Sequence, residues 1–214
     1  MDHKKEHAYL TNQCPVTPII YSLPKIHKHP TEPPLRPIVS GRGSLTEPLS
    51  KYVDFFLKDF LKDLPAYLGD TKDVLNCLSN CTLNQNTMLV SLDVENLYGC
   101  IPHEDALNAA AYYLSKRETT ENPPNAFLLE LLHLVLSRNY MLYGTNWYLQ
   151  QAGTAMGTAA APSVAGLVVG KWEEKVVHDP NNNPHHSKIK LYKRYIDDIL
   201  LFWEGTENEL LEHI

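Results

Sequence analysis

The sequence has no long hydrophobic run. A membrane-spanning helix needs roughly 18 or more apolar residues in a row, and no stretch of this chain supplies them, although 43% of its 214 residues are hydrophobic. No membrane partner is expected. The opening MDHKKEHAYL lacks the apolar centre of a secretory signal. Cysteine is scarce: Cys14, Cys77, Cys81 and Cys100 include no CxxC pair. All four read as free thiols of a reducing compartment. Cys77 and Cys81 stand four apart on an expected helix, which alone does not make a zinc half-site. Positive charge is also short. Nineteen basic against 25 acidic residues give a net charge of −6, which argues against a surface coated in cations for nucleic acid. A local basic track remains open. Lys25, Lys28, Arg36 and Arg42 cluster with His27 and His29, although charge alone reads this as a solvated loop.

What is abundant near the start is proline. Residues 15–48 hold Pro15, Pro18, Pro24, Pro30, Pro33, Pro34, Pro37 and Pro48. Proline has no backbone donor and resists helix interiors, so this region should be loops with IIYSL and RPIVS as short strands. In TEPLSKYVDFFLKDFLKDL the apolar Leu49, Tyr52, Val53, Phe56, Leu57 and Phe60 recur at three and four, the spacing of an amphipathic helix. Thr46 suits its cap and Pro48 its first turn. A second helix is expected from Asp70 or Thr71 to about Asn80. TMLVSLDV, residues 87–94, reads as a continuous buried strand ending in Asp93. Helices should follow from Pro102, and from Pro123 and Pro124. Tyr140–Leu142 and Trp147–Leu149 flank a hairpin turn. APSVAGLVVGKWEEKVV reads as a helix with a small-residue face, and DPNNNPHHS as a polar loop. KIKLYKRYIDDILLFWEG makes two strands with Asp197-Asp198 as the turn. The expected class is α+β with a mostly antiparallel sheet.

Three carboxylates stand out. Asp93 ends one buried strand, and Asp197 and Asp198 lie between two others. If the strands are neighbours, the carboxylates converge and repel unless cations neutralise them. Hard carboxylate oxygens suit Mg²⁺, which binds through one or two protein carboxylates plus substrate phosphates. An ordinary polar turn explains an isolated Asp-Asp equally well. Tyr98, five residues after Asp93, stands at a bend where its ring can lie under a nucleotide sugar or simply pack. Gly153-Thr-Ala-Met-Gly157 is a small-residue loop entering a helix. Its glycines allow a ligand close to the backbone, or tight helix packing.

Together these pieces resemble a reverse transcriptase of the Penelope-like retroelement type, a relative of telomerase. Tyr21-Ser-Leu-Pro-Lys-Ile-His-Lys28 and Leu35-Arg-Pro-Ile-Val-Ser40 look like its two fingers motifs. Ser91-Leu-Asp-Val-Glu-Asn-Leu-Tyr98 with Ile101-Pro102 looks like palm motif A. Tyr148-Leu-Gln150 with Gly153-Thr-Ala-Met-Gly157 looks like motif B, and Tyr195-Ile-Asp-Asp198 like motif C. The resemblance implies a right-hand polymerase with fingers and an antiparallel palm sheet. Asp93, Asp197 and Asp198 would be catalytic, holding two Mg²⁺ ions (Mn²⁺ as a substitute) with help from the Val94 carbonyl. Lys25 and Arg36 would hold the nucleotide triphosphate, Tyr98 would exclude a 2′-hydroxyl, and Gln150 and Gly153 would line the nascent base pair. The implied partners are an RNA template, a DNA primer and deoxynucleoside triphosphates.

The implied organisation is a polar tail over 1–14, a fingers-like region over 15–86 and a palm over 87–214. Little sequence follows the last strand, so a C-terminal truncation without a thumb is expected. The alternative is a non-enzymatic remnant that keeps the palm fold and binds nucleic acid or a protein partner weakly. After Tyr98 the chain reads Gly99-Cys100, where the family more often has a polar pair. A retroelement enzyme implies the nucleus, although Lys4-Lys5 is the sole basic hint and is too short for a targeting signal.

Overall fold

A computed structural model describes residues 3–118 and 122–213. Residues 1 and 2 of the expected N-terminal tail lie outside them. Along the chain run α1 (His3–Leu10), β1 (Ile20–Pro24), β2 (Leu35–Val39), α2 (Glu47–Lys62), α3 (Thr71–Ser79), β3 (Met88–Asp93) and α4 (Leu97–Cys100). Then come α5 (His103–Leu114), α6 (Asn125–Ser137), β4 (Tyr140–Tyr143), β5 (Asn146–Leu149), α7 (Ala161–Val176), β6 (Ile189–Tyr195), β7 (Asp198–Trp203) and α8 (Glu207–His213). All pairings between these strands are antiparallel. The mixed α and β content with antiparallel sheets is as the sequence suggests. Within the segment expected as a polar tail, His3–Leu10 form α1.

The chain folds as two compact units. One comprises 1–58 with 98–165, and the other 59–97 with 166–214. Each is assembled from two separate stretches of chain.

In the first unit the β1–β2 hairpin pairs Leu23 with Arg36 and Pro24 with Leu35. The β4–β5 hairpin is closed by Gly144, whose φ is +60°. A parallel bridge joins Ile19 to Leu142. α5 and α6 bury facing stripes, Ala106, Ala109, Ala110 and Tyr113 on one and Leu128, Leu131, Leu132 and Val135 on the other. Each fully buried side chain of leucine size contributes about 1.5–3 kcal/mol. α2 starts at Glu47, whose carboxylate accepts from the Gly43 amide at 2.7 Å. The Thr46 hydroxyl, just before this helix start, lies 3.3 Å from the Ser44 hydroxyl.

The second unit is built on a sheet ordered β3-β7-β6. One face packs into a core of Ala66, Val177, Tyr192, Leu201, Trp203 and Leu210, with Val90, Leu92 and Ile199 against it. β3 alternates between half-buried and exposed residues. It is thus a one-faced strand and not the doubly buried one its apolar run suggested, because Leu89 and Ser91 point away from the core. The β6–β7 turn also differs from expectation. Tyr195 pairs with Asp198, leaving Ile196-Asp197 as the turn.

Candidate functional site

The register of β3 on β7 sets Asp93 directly opposite Asp198. Residues opposite each other in an antiparallel pair share a face, with Cβ atoms about 4.5–5.5 Å apart, and like charges so placed destabilise the sheet. Both aspartates are exposed, on the face away from the core. Asp197 is half-buried in the turn, and its carbonyl accepts a hydrogen bond from the Val94 amide at 2.9 Å. That bond ties the β6–β7 turn to the residue following Asp93. The three sequence-selected aspartates and Val94 are therefore brought together within the second unit.

Among the described residues no group of three or more His, Cys, Asp or Glu side chains is set to hold a metal. The donor chemistry nonetheless fits Mg²⁺ shared with a phosphate ligand, which needs only one or two protein carboxylates and keeps several waters. A cation between Asp93 and Asp198 would also relieve their repulsion.

The turn is held from behind. Arg194 is 4% exposed and Glu173 1% exposed. The Arg194 Nε donates to Glu173 Oε1 at 2.6 Å and its Nη2 to Oε2 at 3.0 Å. The same guanidinium donates from Nη1 to the Ile196 carbonyl at 2.9 Å and from Nη2 to the Gly166 carbonyl at 3.1 Å. Its backbone is fixed as well: the Arg194 amide donates to the Ala66 carbonyl at 2.6 Å, and its carbonyl accepts from Leu68 at 3.0 Å. Ile196 has φ +57°. That conformation costs a β-branched residue on the order of 1–3 kcal/mol and persists only where the surroundings enforce it. Sequence reading missed Arg194 and Glu173, although strand alternation puts Arg194 on the same side as buried Tyr192.

The remaining sequence-selected residues lie in the first unit. The Tyr98 carbonyl accepts from the Thr154 amide at 2.7 Å, and the Ile101 carbonyl from the Gly153 amide at 3.0 Å. Tyr98 and Gly153 are thus backbone neighbours. A Cβ on Gly153, whose φ is +77°, would stand 2.6 Å from the Tyr98 oxygen. At the loop's other end the Val39 amide donates to Met156 at 3.1 Å and the Gly41 amide to Gly157 at 3.3 Å. The Gln150 amide is engaged by the protein: its oxygen accepts from Asn139 at 2.7 Å and its nitrogen donates to the Ala152 carbonyl at 2.9 Å. That leaves it one donor hydrogen and one lone pair for a ligand. Arg36 is exposed on β2, and Lys25 is half-buried just beyond β1, its amide bonded to the Pro34 carbonyl at 2.9 Å. Neither has an ion-pair partner among the described residues. All four cysteines are free.

No protein-family model matches the chain, and no curated protein does. Solved structures do match. The apo telomerase of Candida tropicalis, truncated from its C-terminal domain, aligns with a TM-score of 0.67 at 11% identity, over 92% of this chain and 46% of that one. The fold is similar to that of telomerase. The Candida albicans telomerase, solved in complex with a TWJ fragment of telomeric RNA, aligns with a TM-score of 0.64 at 10% identity, over 93% of this chain and 39% of that one. The chain thus spans less than half the length of these telomerase chains. At such identity the likeness concerns the fold.

Proposed function

We propose that this chain is the fingers and palm portion of an RNA-directed DNA polymerase of the Penelope-like retroelement type. The observation that carries the reading is the register placing Asp93 opposite Asp198, with Asp197 in the adjoining turn, inside a telomerase-like fold. The sequence motifs quoted above give the finer family.

In this reading Asp93 and Asp197 hold two divalent cations, with Asp198 beside them and the Val94 carbonyl assisting. Bound there, Mg²⁺ would lower the pKa of a primer 3′-hydroxyl and stabilise the charge on the leaving pyrophosphate. Arg36 pairs with the triphosphate through its guanidinium fork, and Lys25 acts as a point charge beside it. Tyr98 screens the sugar and disfavours a 2′-hydroxyl. Gly153 lets the nascent base pair approach the backbone, and Gln150 offers it the remaining capacity of its amide. The hydroxyl attacks the α-phosphate in line, a phosphodiester forms, and pyrophosphate leaves. RNA is the template, DNA the primer, and the nucleus the place of action.

The test is primer extension by the purified chain on an RNA template with a DNA primer, deoxynucleotides and Mg²⁺. Addition of one or a few nucleotides is expected, abolished by Asp197→Asn. Activity that survives Asp197→Asn contradicts the assignment. A chain that binds the hybrid without adding a nucleotide favours the remnant alternative.

A further inference from the structure

The carboxylates proposed as metal ligands sit on a turn whose shape the turn's own sequence does not favour. A two-residue hairpin turn that needs positive φ at its first position is normally built with glycine. Here that residue is Ile196, with φ +57°. Something outside the turn must hold it. The side chain that donates to the Ile196 carbonyl is Arg194, at 2.9 Å. Arg194 itself cannot swing, because Glu173 takes its Nε and Nη2 in a bidentate pair. Gly166 and Glu173 both belong to α7, so the helix anchors the guanidinium at two points.

We propose that Arg194 and Glu173 are a buried positioning pair for the carboxylate turn. The pair fixes the Ile196 carbonyl and so aims the next residue, Asp197, toward the Asp93–Asp198 row. The role rests on the polymerase reading of those aspartates. Both members of the pair are buried. Two charges taken out of water are costly, and replacing such a pair by apolar residues is often neutral or stabilising. Stability alone therefore gives little reason for a charged pair at this place. Geometry gives one. A guanidinium has five donors in a rigid plane, and here it spans a carboxylate and two carbonyls at once. Lysine, with a compact ammonium on a flexible stem, cannot reproduce that span.

The test compares the whole wild-type chain with Arg194→Lys and with the paired change Arg194→Met plus Glu173→Met, which leaves no lone buried charge. Two readouts are taken on each. The first is amide hydrogen exchange, resolved by residue. Exchange at Val94, the donor to the turn, should speed up by about tenfold or more in both variants, while Val90 and Leu201 in the body of the sheet stay protected. The second is Mn²⁺ binding followed by electron paramagnetic resonance, expected to weaken several-fold in both variants. Unchanged Val94 exchange overturns the proposal. So does loss of protection spread evenly over the sheet, which marks a merely structural pair. Mn²⁺ bound by the variants as tightly as by wild type also overturns the positioning role. If wild type binds no Mn²⁺, the metal reading of the aspartates fails, and the exchange pattern still decides whether the pair shapes the turn.

Discussion

The Gly153–Gly157 loop of the first unit and the Ile196–Asp197 turn of the second are held by different means. The loop lies against other stretches of main chain, and its bonds run chiefly from backbone to backbone, to Tyr98, Ile101, Val39 and Gly41, with the His103 ring nitrogen 3.0 Å from the Gly153 carbonyl. A Cβ at Gly153 or at Gly157 would meet backbone oxygen, so a side chain is excluded at those two positions. The turn is held by the backbone bond from Val94 to Asp197 and by one side chain, Arg194, itself gripped by another, Glu173. A loop fixed by backbone tolerates no added atom. A turn fixed by a charge tolerates no lost partner.

The largest effect is expected where an atom is added. Gly157 has φ +127°, and a Cβ there would collide with the Val39 carbonyl. The backbone strain and the forced displacement together predict that Gly157→Ala destabilises the chain by about 3–5 kcal/mol, measured by urea unfolding. A loss below about 1 kcal/mol would show that the loop relaxes easily and would erase the contrast.

Next comes the lost partner. Arg194→Met alone strands the Glu173 carboxylate in the interior, which should cost about 3 kcal/mol. Changing both residues to Met should restore most of that. If the double variant is as unstable as the single one, the pair does more for stability than a buried charge pair normally does.

These two devices were unequally legible in the sequence. Gly153 and Gly157 were singled out as permitting close approach, since glycine is the residue that vacates space. The turn was read as Asp197-Asp198 because aspartate favours turns, and a β-branched residue at positive φ defies that preference. Only the outside grip of Arg194 makes Ile196 intelligible. The signal was present all the same. Gly166, Gly170, Glu173 and Val177 follow one another at spacings of four, three and four, so Glu173 continues the small-residue face of its helix. Most elements were legible for simpler reasons. The α2 periodicity, the start of α3 at Thr71 and the β4–β5 hairpin each rest on local chemistry. β3 misled because its apolar run does not reveal that Leu89 is 70% exposed. α1 escaped because its apolar residues Ala8, Tyr9 and Leu10 sit together at one end and show no helical period.

The smallest expected effect is on pH dependence, and it sharpens the picture around Glu173. Burial holds His178 below its ordinary pKa of 6.5, Glu173 and Glu174 pull it up, and His186 and Lys193 push it down. Its ring meets that of Tyr192 edge-on at 5.7 Å. The unfolded chain therefore takes up the proton first as pH falls. The His178 contribution to stability is present above the unfolded value and is lost as pH drops through it toward the lower folded value. Because the ring is only partly buried, the effect is small. Unfolding followed between about pH 7 and pH 5, around the ordinary histidine pKa, should show a shallower loss of stability in His178→Phe than in wild type. Equal slopes would remove His178 from the balance.

The central claim is that Asp93, Asp197 and Asp198 form a divalent-metal site. The most direct test is the melting temperature of the whole chain with and without Mg²⁺ or Mn²⁺, in wild type and in Asp93→Asn with Asp197→Asn. A ligand that binds only the folded state raises that temperature with concentration. A metal-dependent rise in wild type that disappears in the double variant is expected. An equal rise in both proteins would contradict it.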